Sequence, residues 1–353
     1  MNSEQQPGVR LGKRWIARCQ RPYIVAEMSA NHRGDYQQAV RIVEAAAEAG
    51  ADAVKLQTYT PDSLTLDSPT PGFRIQGTLW HDRTLYELYR EAQTPWDWQP
   101  KLAQVAKTCG LDFFSSPFDT AAVDFLETLD VPAYKIASFE LVDLPLLRRV
   151  AQTGKPVLLS TGMGTLAEID EAVRTVRAQG NSQILLLKCT SAYPATAAQM
   201  NLRTLPRLAE CFGLPVGLSD HSLETLAPAL AVALGACLIE KHLTLSRAAG
   251  GPDCGFSLEP HEFRQMVTAV HTAQQALGHI QWGPTELEDP SRRLRRSLYA
   301  VRDIHKGQAF TLANVRTIRP ANGLHPRYLE RLLGRSAQVD VARGTPLAWH
   351  HVG

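Results

Sequence analysis

Eight short apolar runs, each followed by a stretch with helical character, constrain the fold of this chain more than any other feature of its sequence. The runs are nearly continuous in apolar residues, as is typical of strands in a parallel sheet covered on both faces. They lie at 23–27, 53–57, 111–115, 133–137, 156–160, 184–188, 215–219 and 237–241. Helical patterns include 36–49, 121–128, 166–178, 222–236 and 261–277. This alternation predicts an α/β protein with a (β/α)8 barrel.

The pattern changes near residue 283, which indicates a second domain. Residues 284–296 are predicted to form a linker, and residues 297–353 a small β-rich domain after the 1–283 barrel. In the tail, short alternating runs at 298–301, 315–318 and 336–339 are separated by turn signals such as Asn322-Gly323. The linker carries four arginines, but without interleaved aromatic residues such a run is typical of a solvated face, so we predict no nucleic-acid partner.

Composition limits the compartment and the partners. The 353 residues carry a net charge of only +2, which favours no particular partner by bulk electrostatics. Residues 1–15 hold no apolar signal core, and the longest apolar run, 226–239, contains Pro228 and falls short of the roughly 20 residues of a membrane span. The six cysteines form no C-x-x-C pair, which is typical of reduced thiols. We therefore expect a cytoplasmic protein without a membrane partner.

The ends of the eight predicted strands carry most of the polar residues of interest. In such barrels the catalytic groups lie at the carboxyl ends of the strands, which meet at one rim. In chain order these residues are Glu27, Asn31, His32, Lys55, Gln57, Ser115, Ser116, Lys135, Ser138, Glu140, Ser160, Thr161, Lys188, Thr190, Ser191, Tyr193, Ser219, Asp220, His221, Lys241, His242 and Asp253.

Two histidines stand at the ends of consecutive strands. His221 follows Gly217-Leu218-Ser219-Asp220, and His242 follows Leu238-Ile239-Glu240-Lys241. A strand–helix–strand unit brings both ends to one face of the sheet, and a pair of neutral imidazoles suits a divalent transition metal. The pattern favours a metal site over two unrelated histidines.

Lysines and hydroxyl groups at the same rim predict an anionic ligand. Lys55 and Lys135 offer point charges, and several serines offer short hydrogen bonds. A structural lysine paired with a carboxylate is the alternative for either one. No phosphate-binding loop or dinucleotide fingerprint is present, which argues against a nucleotide. Glu27 is a candidate for positioning a water molecule or taking a proton, whereas Glu140 and Asp253 remain candidates for either the site or a salt bridge.

One connection, residues 59–98, is too long for a simple turn. It is rich in proline, threonine, aspartate and aromatic residues, including Trp80, Tyr86 and Tyr89. A long loop at the active rim of a barrel serves as a lid or as a specificity wall, or else as a packing flap. The sequence leaves these alternatives open.

Beyond these patterns, the chain resembles the sialic acid synthase family over about residues 20–350. The motifs that carry the resemblance are Ala26-Glu27-Met28-Ser29-Ala30-Asn31-His32, Val54-Lys55-Leu56-Gln57-Thr58, Ser115-Ser116-Pro117-Phe118, Pro132-Ala133-Tyr134-Lys135-Ile136-Ala137-Ser138, Leu159-Ser160-Thr161-Gly162-Met163, Gly217-Leu218-Ser219-Asp220-His221 and Glu240-Lys241-His242. The tail, with Arg319-Pro320-Ala321-Asn322-Gly323, looks like the family's antifreeze-like (SAF) domain. The resemblance implies a C–C bond-forming transferase that condenses phosphoenolpyruvate with an amino-sugar aldehyde.

The resemblance also implies roles for individual residues. His221 and His242 are expected to bind Mn²⁺, or Mg²⁺ or Co²⁺ in its place. Glu27, Lys55 and Lys135 are the implied catalytic residues. Arg319 is expected to enter the barrel of a second subunit, which implies a homodimer with exchanged C-terminal domains. The residues implied to bind phosphoenolpyruvate or the sugar are Lys55, Gln57, Ser116, Lys135, Ser138, Glu140, Ser160, Ser191, Tyr193, Ser219, Asp253 and Arg319.

Within the family, the segment Leu85-Tyr86-Glu87-Leu88-Tyr89 and the segment Thr94-Pro95-Trp96-Asp97-Trp98 resemble the branch of pseudaminic acid synthases. That branch uses a 2,4-diacetamido-2,4,6-trideoxy hexose, and an aromatic-rich loop suits such a sugar. The alternatives are an N-acetylneuraminate or legionaminate synthase, a non-catalytic carbohydrate-binding or assembly protein, and another phosphoenolpyruvate aldolase. The intact set of Glu27, Lys55, Lys135 and the two histidines argues against a non-catalytic protein, and the tail argues against the last alternative.

Overall fold

The computed structural model describes residues 7–353. Residues 1–6 lie outside the described residues. They belong to the predicted barrel domain and to the segment 1–15, in which no signal peptide is predicted. The chain forms two compact units, of which the first ends at Gly278 and the second runs from His279 to Gly353. Each unit has its own apolar core.

A closed barrel of eight parallel strands forms the first unit, which confirms the predicted fold class. The closed order is β10-β3-β4-β5-β6-β7-β8-β9, so each strand pairs with its neighbour in the chain and the last strand pairs with the first. The predicted strands agree with the observed ones to within one or two residues at either end. Their bounds are β3 Tyr23–Glu27, β4 Ala53–Thr58, β5 Asp112–Pro117, β6 Tyr134–Ile136, β7 Val157–Ser160, β8 Ile184–Cys189, β9 Val216–Asp220 and β10 Leu238–His242.

Helices surround the barrel because each carries one apolar stripe that packs on the strands. Buried Ile42, Val43 and Ala46, for example, form the inner face of the first helix. The α-helices of the first unit are α1 Tyr36–Glu48, α2 Pro61–Leu64, α3 Leu85–Ala92, α4 Gln99–Thr108, α5 Thr120–Thr128, α6 Leu144–Ala151, α7 Leu166–Arg177, α8 Thr204–Phe212, α9 Leu226–Ala233 and α10 Pro260–Leu277.

The predicted helix 222–236 is longer than the observed α9. Residues 222–225 do not join the helix, because the Asp220 carboxylate accepts a hydrogen bond from the Ser222 amide and the Lys241 ammonium donates to the Glu224 carbonyl. At the other end Gly235 turns the chain with φ of 104°, which favours glycine.

A hairpin that the sequence analysis missed precedes the barrel. Strands β1 Gly8–Leu11 and β2 Arg14–Ala17 pair antiparallel. Arg14 of the hairpin contacts Asp52, which precedes β4, with Nη1 2.5 Å from Oδ1. Because this contact lies at the amino ends of the strands, the hairpin covers that end of the barrel. The carboxyl end is therefore the end that can hold a site.

The second unit is small and β-rich. Strands β11 Ser297–Ala300 and β12 Val315–Ile318 pair antiparallel, and two short helices, α11 Asp289–Arg292 and α12 Leu329–Leu332, accompany them. The predicted run 336–339 contributes only isolated bridges at Ser336 and Ala337. Buried Leu298, Phe310 and Leu347 belong to its core.

The described residues, 7–353, include no helix that is both long and apolar enough to cross a membrane.

Candidate active site at the carboxyl end of the barrel

A cavity of about 400 Å³ opens at the carboxyl end of the barrel. Its volume lies within the range of about 300–1,000 Å³ that is usual for small-molecule sites. The floor is polar and comes from the strand ends, whereas the wall is largely apolar. The predicted residues that line it are Lys55, Gln57, Ser116, Lys135, Ser138, Glu140, Ser160, Tyr193, Ser219, His221, His242 and Asp253.

The alternation of side chains along each strand decides which polar groups reach this cavity. On β10, Glu240 and His242 line the cavity, whereas Lys241 between them faces outward to the Asp220 carboxylate. On β5, Ser116 lines the cavity, and Ser115 bonds to Thr58 instead, with 2.6 Å between the hydroxyl oxygens. Neighbouring polar residues at a strand end therefore divide between the cavity and the packing around it.

The two predicted metal-ligating imidazoles lie side by side. The ring centroids of His221 and His242 are 5.2 Å apart, and the ring of Phe256 packs against both. His221 Nδ1 lies 3.2 Å from the Thr190 carbonyl oxygen, which favours a proton on Nδ1, so that in the neutral ring Nε2 keeps its lone pair. Burial lowers the pKa of His242 well below its usual value, and the cationic neighbours add to this effect. A neutral imidazole of this kind is a good metal ligand.

The donor set fits a divalent ion that shares its ligands with substrate or water. Among residues 7–353 no cluster of three or more His, Cys, Asp or Glu side chains forms a complete metal site. The pair is nevertheless incomplete without a ligand, because His242 Nδ1 is buried and has no hydrogen-bond partner. Catalytic metal sites keep coordination positions open for water or substrate, and two imidazoles at a cavity would leave several positions open.

The two predicted lysines do not stand free, because each is paired with a buried glutamate. Lys135 Nζ lies 2.9 Å from Glu240 Oε1, and Lys55 Nζ lies 2.5 Å from Glu27 Oε2 and 3.8 Å from Glu240 Oε1. The floor is thus a chain of alternating charges. The ammonium groups are paired with carboxylates, as the structural interpretation expected, and they also line the cavity, where the anionic ligand stays a prediction.

The two glutamates differ in acidity. Burial raises the pKa of Glu27, and the Glu240 charge reinforces this effect, although the Lys55 ammonium opposes it. Burial alone would also raise the pKa of Glu240, but the ammonium groups of Lys135 and Lys55 outweigh burial and bring this pKa to about 2. Two carboxylates with different pKa values suit different roles. The one with the higher pKa can act as a base, and the one with the lower pKa serves as a fixed negative charge.

Hydroxyl groups surround the backbone at Gly162. The Gly162 amide donates to Ser138 Oγ over 3.2 Å. A Cβ atom at Gly162 would lie 2.6 Å from Ser138 Oγ and closer still to Ser191 Oγ, so only glycine fits between them. Ser160 Oγ is buried without a hydrogen-bond partner. This cradle of small side chains has unused hydrogen-bonding capacity, as an anion site requires.

Carboxylates also stand at the upper part of the cavity. Asp253 Oδ2 accepts hydrogen bonds from the Ser29 hydroxyl and the Ala30 amide, the latter over 3.2 Å. Burial raises the pKa of Asp253, and these hydrogen bonds oppose the shift. Burial raises the pKa of Glu140 to about 7. Both side chains line the cavity and can contact a polar ligand there.

Three of the residues predicted for the site do not line the cavity. Glu27 does not line the cavity and contacts it through Lys55 and Gln57, whose amide donates to Glu27 Oε1 over 3.2 Å. Ser191 lies just behind the lining, beside Gly162. Arg319 is exposed in the second unit, where its predicted role stays a prediction.

Two polar residues of the strand-end list, Asn31 and His32, hold loops together and do not line the cavity. The Asn31 amide donates to the Leu243 carbonyl and to Ser257 Oγ, each over 2.9 Å. His32 Nε2 lies 3.1 Å from Thr94 Oγ1, and burial lowers the pKa of His32 to about 4.

The long segment 59–98 combines two of the predicted roles. Tyr59, Trp80, Leu88 and Tyr89 belong to the cavity wall. The 94–98 end is a packing element, because Trp98 packs against His32 and Tyr36, and Trp96 stacks on Phe125. The tryptophans at 96 and 98 therefore do not contact a ligand in the cavity.

Glu240 and Ser29 are polar residues of the site that the sequence analysis does not single out. Glu240 was quoted only as part of a motif, yet it shares the inner face of β10 with His242, and the period of two along the strand was the signal that could have identified it. Ser29 adopts φ of 45°, a strained value for a residue other than glycine, while its hydroxyl bonds to Asp253. No local pattern in the sequence predicts the positive φ of Ser29.

We predict that Lys241→Met lowers the free energy of unfolding by about 3–5 kcal/mol, because it leaves the Asp220 carboxylate buried without its partner. The Lys241 Nζ to Asp220 Oδ2 distance is 2.5 Å, and both side chains are at most 1% exposed. Urea denaturation measures the loss. The double variant Asp220→Leu with Lys241→Met should recover most of it, and a single variant as stable as the parent would contradict the prediction.

Comparison with known proteins agrees with this site. The NeuB family profile matches residues 42–281, and the SAF domain profile matches residues 295–353. Pseudaminic acid synthase of Helicobacter pylori is 45% identical, covering 93% of this chain and 97% of its own. N,N'-diacetyllegionaminic acid synthase of Legionella pneumophila is 37% identical, covering 94% of each.

A solved structure has the same fold. The N-acetylneuraminic acid synthetase of Leptospira borgpetersenii, crystallised with citrate, superimposes with a TM-score of 0.72 at 30% identity, covering 81% of this chain and 95% of that one. Both the profile match and the identity to full-length relatives are high enough to assign the family. The chain belongs to the NeuB family, and it is one of the phosphoenolpyruvate-dependent nonulosonate synthases, enzymes that form a carbon–carbon bond.

Proposed function

We propose that this protein is a pseudaminic acid synthase. It condenses phosphoenolpyruvate with the open-chain aldehyde of 2,4-diacetamido-2,4,6-trideoxy-altropyranose and with water, and it releases phosphate by C–O cleavage. The observation that carries the choice of sugar is the 45% identity to the Helicobacter pylori pseudaminic acid synthase, against 37% to the legionaminic acid synthase of Legionella pneumophila.

Phosphoenolpyruvate binds at the floor. Lys55 and Lys135 supply positive charge, and the hydroxyl groups around Gly162 supply hydrogen bonds to phosphate or carboxylate oxygens. Binding requires the lysines to share their ammonium groups between the ligand and the two glutamates that hold them. The serines that complete this subsite are Ser116, Ser138, Ser160, Ser191 and Ser219.

The sugar binds above this floor. Its acetamido and hydroxyl groups face Gln57, Glu140, Tyr193 and Asp253, while the apolar wall suits a sugar that bears a methyl group in place of a hydroxymethyl group. A largely apolar wall offers few partners to an additional hydroxyl, which would lose hydrogen bonds to water on entry.

His221 and His242 would hold a divalent metal ion, which we propose to be Mn²⁺, and the bound ion would supply Lewis-acid polarisation of the sugar aldehyde. Glu27 and Glu240 already neutralise the two lysines, so the negative charge of bound phosphoenolpyruvate would be offset by a divalent cation at the two histidines. The neutral state of the His242 ring suits this role.

The bond-forming sequence balances as follows. Carbon 3 of phosphoenolpyruvate attacks the aldehyde carbon, and the aldehyde oxygen takes a proton. Water adds to carbon 2, which has gained positive character, and loses its proton to a base. The resulting tetrahedral carbon releases phosphate as the C–O bond breaks, and the hydroxyl left on carbon 2 gives its proton to the phosphate as the keto group forms. The two protons of the water thus end on the aldehyde oxygen, by way of the base, and on the phosphate. Lys55 and Lys135 stabilise the charge that collects on the leaving phosphate.

Glu27 is the residue that we assign to the water. Its raised pKa makes it a better base than Glu240, whose pKa of about 2 suits a fixed counter-charge for the lysines. When Lys55 turns toward the phosphate, the Glu27 carboxylate loses its close partner and becomes available to a water molecule.

The assembly and the compartment are also part of the proposal. We propose a homodimer with exchanged C-terminal domains, in which Arg319 of one subunit reaches the cavity of the other. Free cysteines, of which Cys189, Cys237 and Cys254 are buried, suit a reducing compartment, and we propose the cytoplasm.

The experiment is incubation of the protein with phosphoenolpyruvate, Mn²⁺ and a panel of acetamido hexoses, followed by phosphate release and mass spectrometry of the product. We expect the altro-configured 2,4-diacetamido-trideoxy sugar to exceed a 2-acetamido hexose with an intact 6-hydroxyl by about 100-fold in kcat/KM, within the range for one or two changed substituents in an apolar pocket. A preference for another stereoisomer would reassign the enzyme within the family. Phosphate release with none of the sugars would contradict the proposal.

A further inference from the structure

Residues 74–84 of the long segment form a hairpin, which we call the flap. The Ile75 amide donates to the Arg83 carbonyl over 2.9 Å, and the Asp82 amide donates to the Ile75 carbonyl over 3.1 Å. Gly77 and Asp82 turn the chain with φ of 69° and 68°. The flap therefore satisfies part of its own backbone and needs few contacts with the barrel to keep its shape.

The tip of the flap meets the opposite side of the cavity. Trp80 Nε1 donates to the Pro252 carbonyl oxygen over 2.8 Å. The Trp80 ring lies 5.7 Å from the Tyr193 ring and 6.4 Å from the Phe256 ring, measured between centroids. Leu79 is 56% exposed, yet its side chain lies over Gly255. The flap thus bridges the mouth of the cavity.

A single aromatic ring separates Trp80 from each of the two histidines. Tyr193 packs on His221 with 4.6 Å between ring centroids, and Phe256 packs on His242 with 4.9 Å. Trp80 also lines the cavity itself. Trp80 therefore lies at the mouth of the cavity, beside the aromatic rings that pack on the two imidazoles.

We propose that Trp80 is a substrate-contact residue that selects for the apolar end of the sugar, and that its hydrogen bond to Pro252 latches the flap over the bound sugar. This inference rests on the proposed function for the identity of the ligand class. The indole presents a flat apolar surface to the sugar while its N–H keeps a partner on the far side, which is the usual way in which a half-buried tryptophan is used. Closure removes water from the reacting groups.

The latch is suited to opening. It consists of one hydrogen bond and edge contacts between rings, and the flap around it is largely exposed. Segments with few buried contacts open at low cost in free energy. The flap can therefore admit the sugar without disturbing the barrel strands that hold the floor.

Two variants separate the ring from its N–H group. Trp80→Ala removes both, and we expect KM for the sugar to rise about 10- to 100-fold, the usual range for a lost apolar contact in a specific pocket. Trp80→Phe keeps a ring but removes the hydrogen bond, and we expect a smaller rise. The Kd for phosphoenolpyruvate, measured by calorimetry without the sugar, should change by less than about twofold.

A spectroscopic measurement provides a readout besides activity. Addition of the sugar to the metal-loaded protein with phosphoenolpyruvate should change the tryptophan fluorescence of the parent, and Trp80→Phe should abolish that change. Trp282→Phe is the matched control, because Trp282 is 93% exposed and lies in the second unit. Amides of the flap should also exchange more slowly with deuterium when the sugar is bound.

The outcomes distinguish this inference from the proposed function. An unaltered sugar KM in Trp80→Ala, with the fluorescence change retained in Trp80→Phe, would overturn the role of Trp80 while an enzyme active on the sugar leaves the proposed function intact. A parent protein that turns over none of the acetamido hexoses would overturn the proposed function first. Thermal denaturation shows whether each variant is folded, and we expect Trp80→Phe to unfold within a few degrees of the parent because the flap is peripheral to the core.

Discussion

Replacement of Glu27 by glutamine is expected to reduce turnover about 10³-fold while phosphoenolpyruvate still binds. The substitution keeps the size of the side chain and one oxygen that can accept from Gln57 or Lys55, but it removes the negative charge beside Lys55 and the group that can take a proton. General base catalysis contributes about 10² to 10⁴ in rate, which sets the expected loss. Phosphate release at saturating substrates measures turnover, and calorimetry measures the binding of phosphoenolpyruvate.

The comparison between the two buried glutamates sharpens this test. If Glu240 is the fixed counter-charge of Lys55 and Lys135, Glu240→Gln should chiefly alter the affinity for phosphoenolpyruvate, whereas Glu27→Gln should chiefly alter kcat. Glu286→Gln serves as a control, because Glu286 is exposed in the second unit. Near-normal turnover in Glu27→Gln would refute the assignment of the base.

The second large effect is expected at the histidine pair. His221→Ala should lower the affinity for Mn²⁺ by at least about 100-fold, because the site then keeps only one imidazole from the protein. Metal content after dialysis, measured by mass spectrometry, gives the occupancy. Turnover should fall with it, but the assignment of His221 as a ligand depends on the metal measurement.

His261→Ala is the matched control for this experiment. His261 lies on the surface at the start of α10, with 66% of its side chain exposed, and is not part of the cavity. The control should bind as much Mn²⁺ as the parent. Since His221 is buried, His221→Gln tests whether a loss of metal in His221→Ala arises from altered packing. Full metal occupancy in both His221 variants would remove this residue from the set of ligands.

The barrel could be predicted from the sequence because the apolar pattern of each strand lies within a few consecutive residues. Runs such as 184–188 are apolar throughout, and only a strand covered on both faces buries such a run. Strand ends followed by polar residues also located most of the polar lining of the cavity, from Lys55 on β4 to His242 on β10. Boundaries shifted by one or two residues, and the helix at 222–236 was too long because side chains from a neighbouring strand hold residues 222–225 outside it.

Local sequence patterns did not predict which polar residues at the rim face the cavity. His32 and His221 both follow apolar strands, yet His32 bonds to Thr94 and His221 faces the cavity. Lys135 meets Glu240 from 105 positions away in the chain. No pattern in either segment predicts that contact, because the two residues meet only when the barrel closes.

The sequence by itself determined the class of fold, the end of the barrel that holds the site and the kinds of groups gathered there, because apolar periodicity and strand-end residues act over a few positions. Only the tertiary structure decided which lysine meets which glutamate, which histidine serves the cavity and where Trp80 closes its mouth. Those contacts join residues that are distant in the chain, and burial sets their strength once barrel closure has removed water from around them.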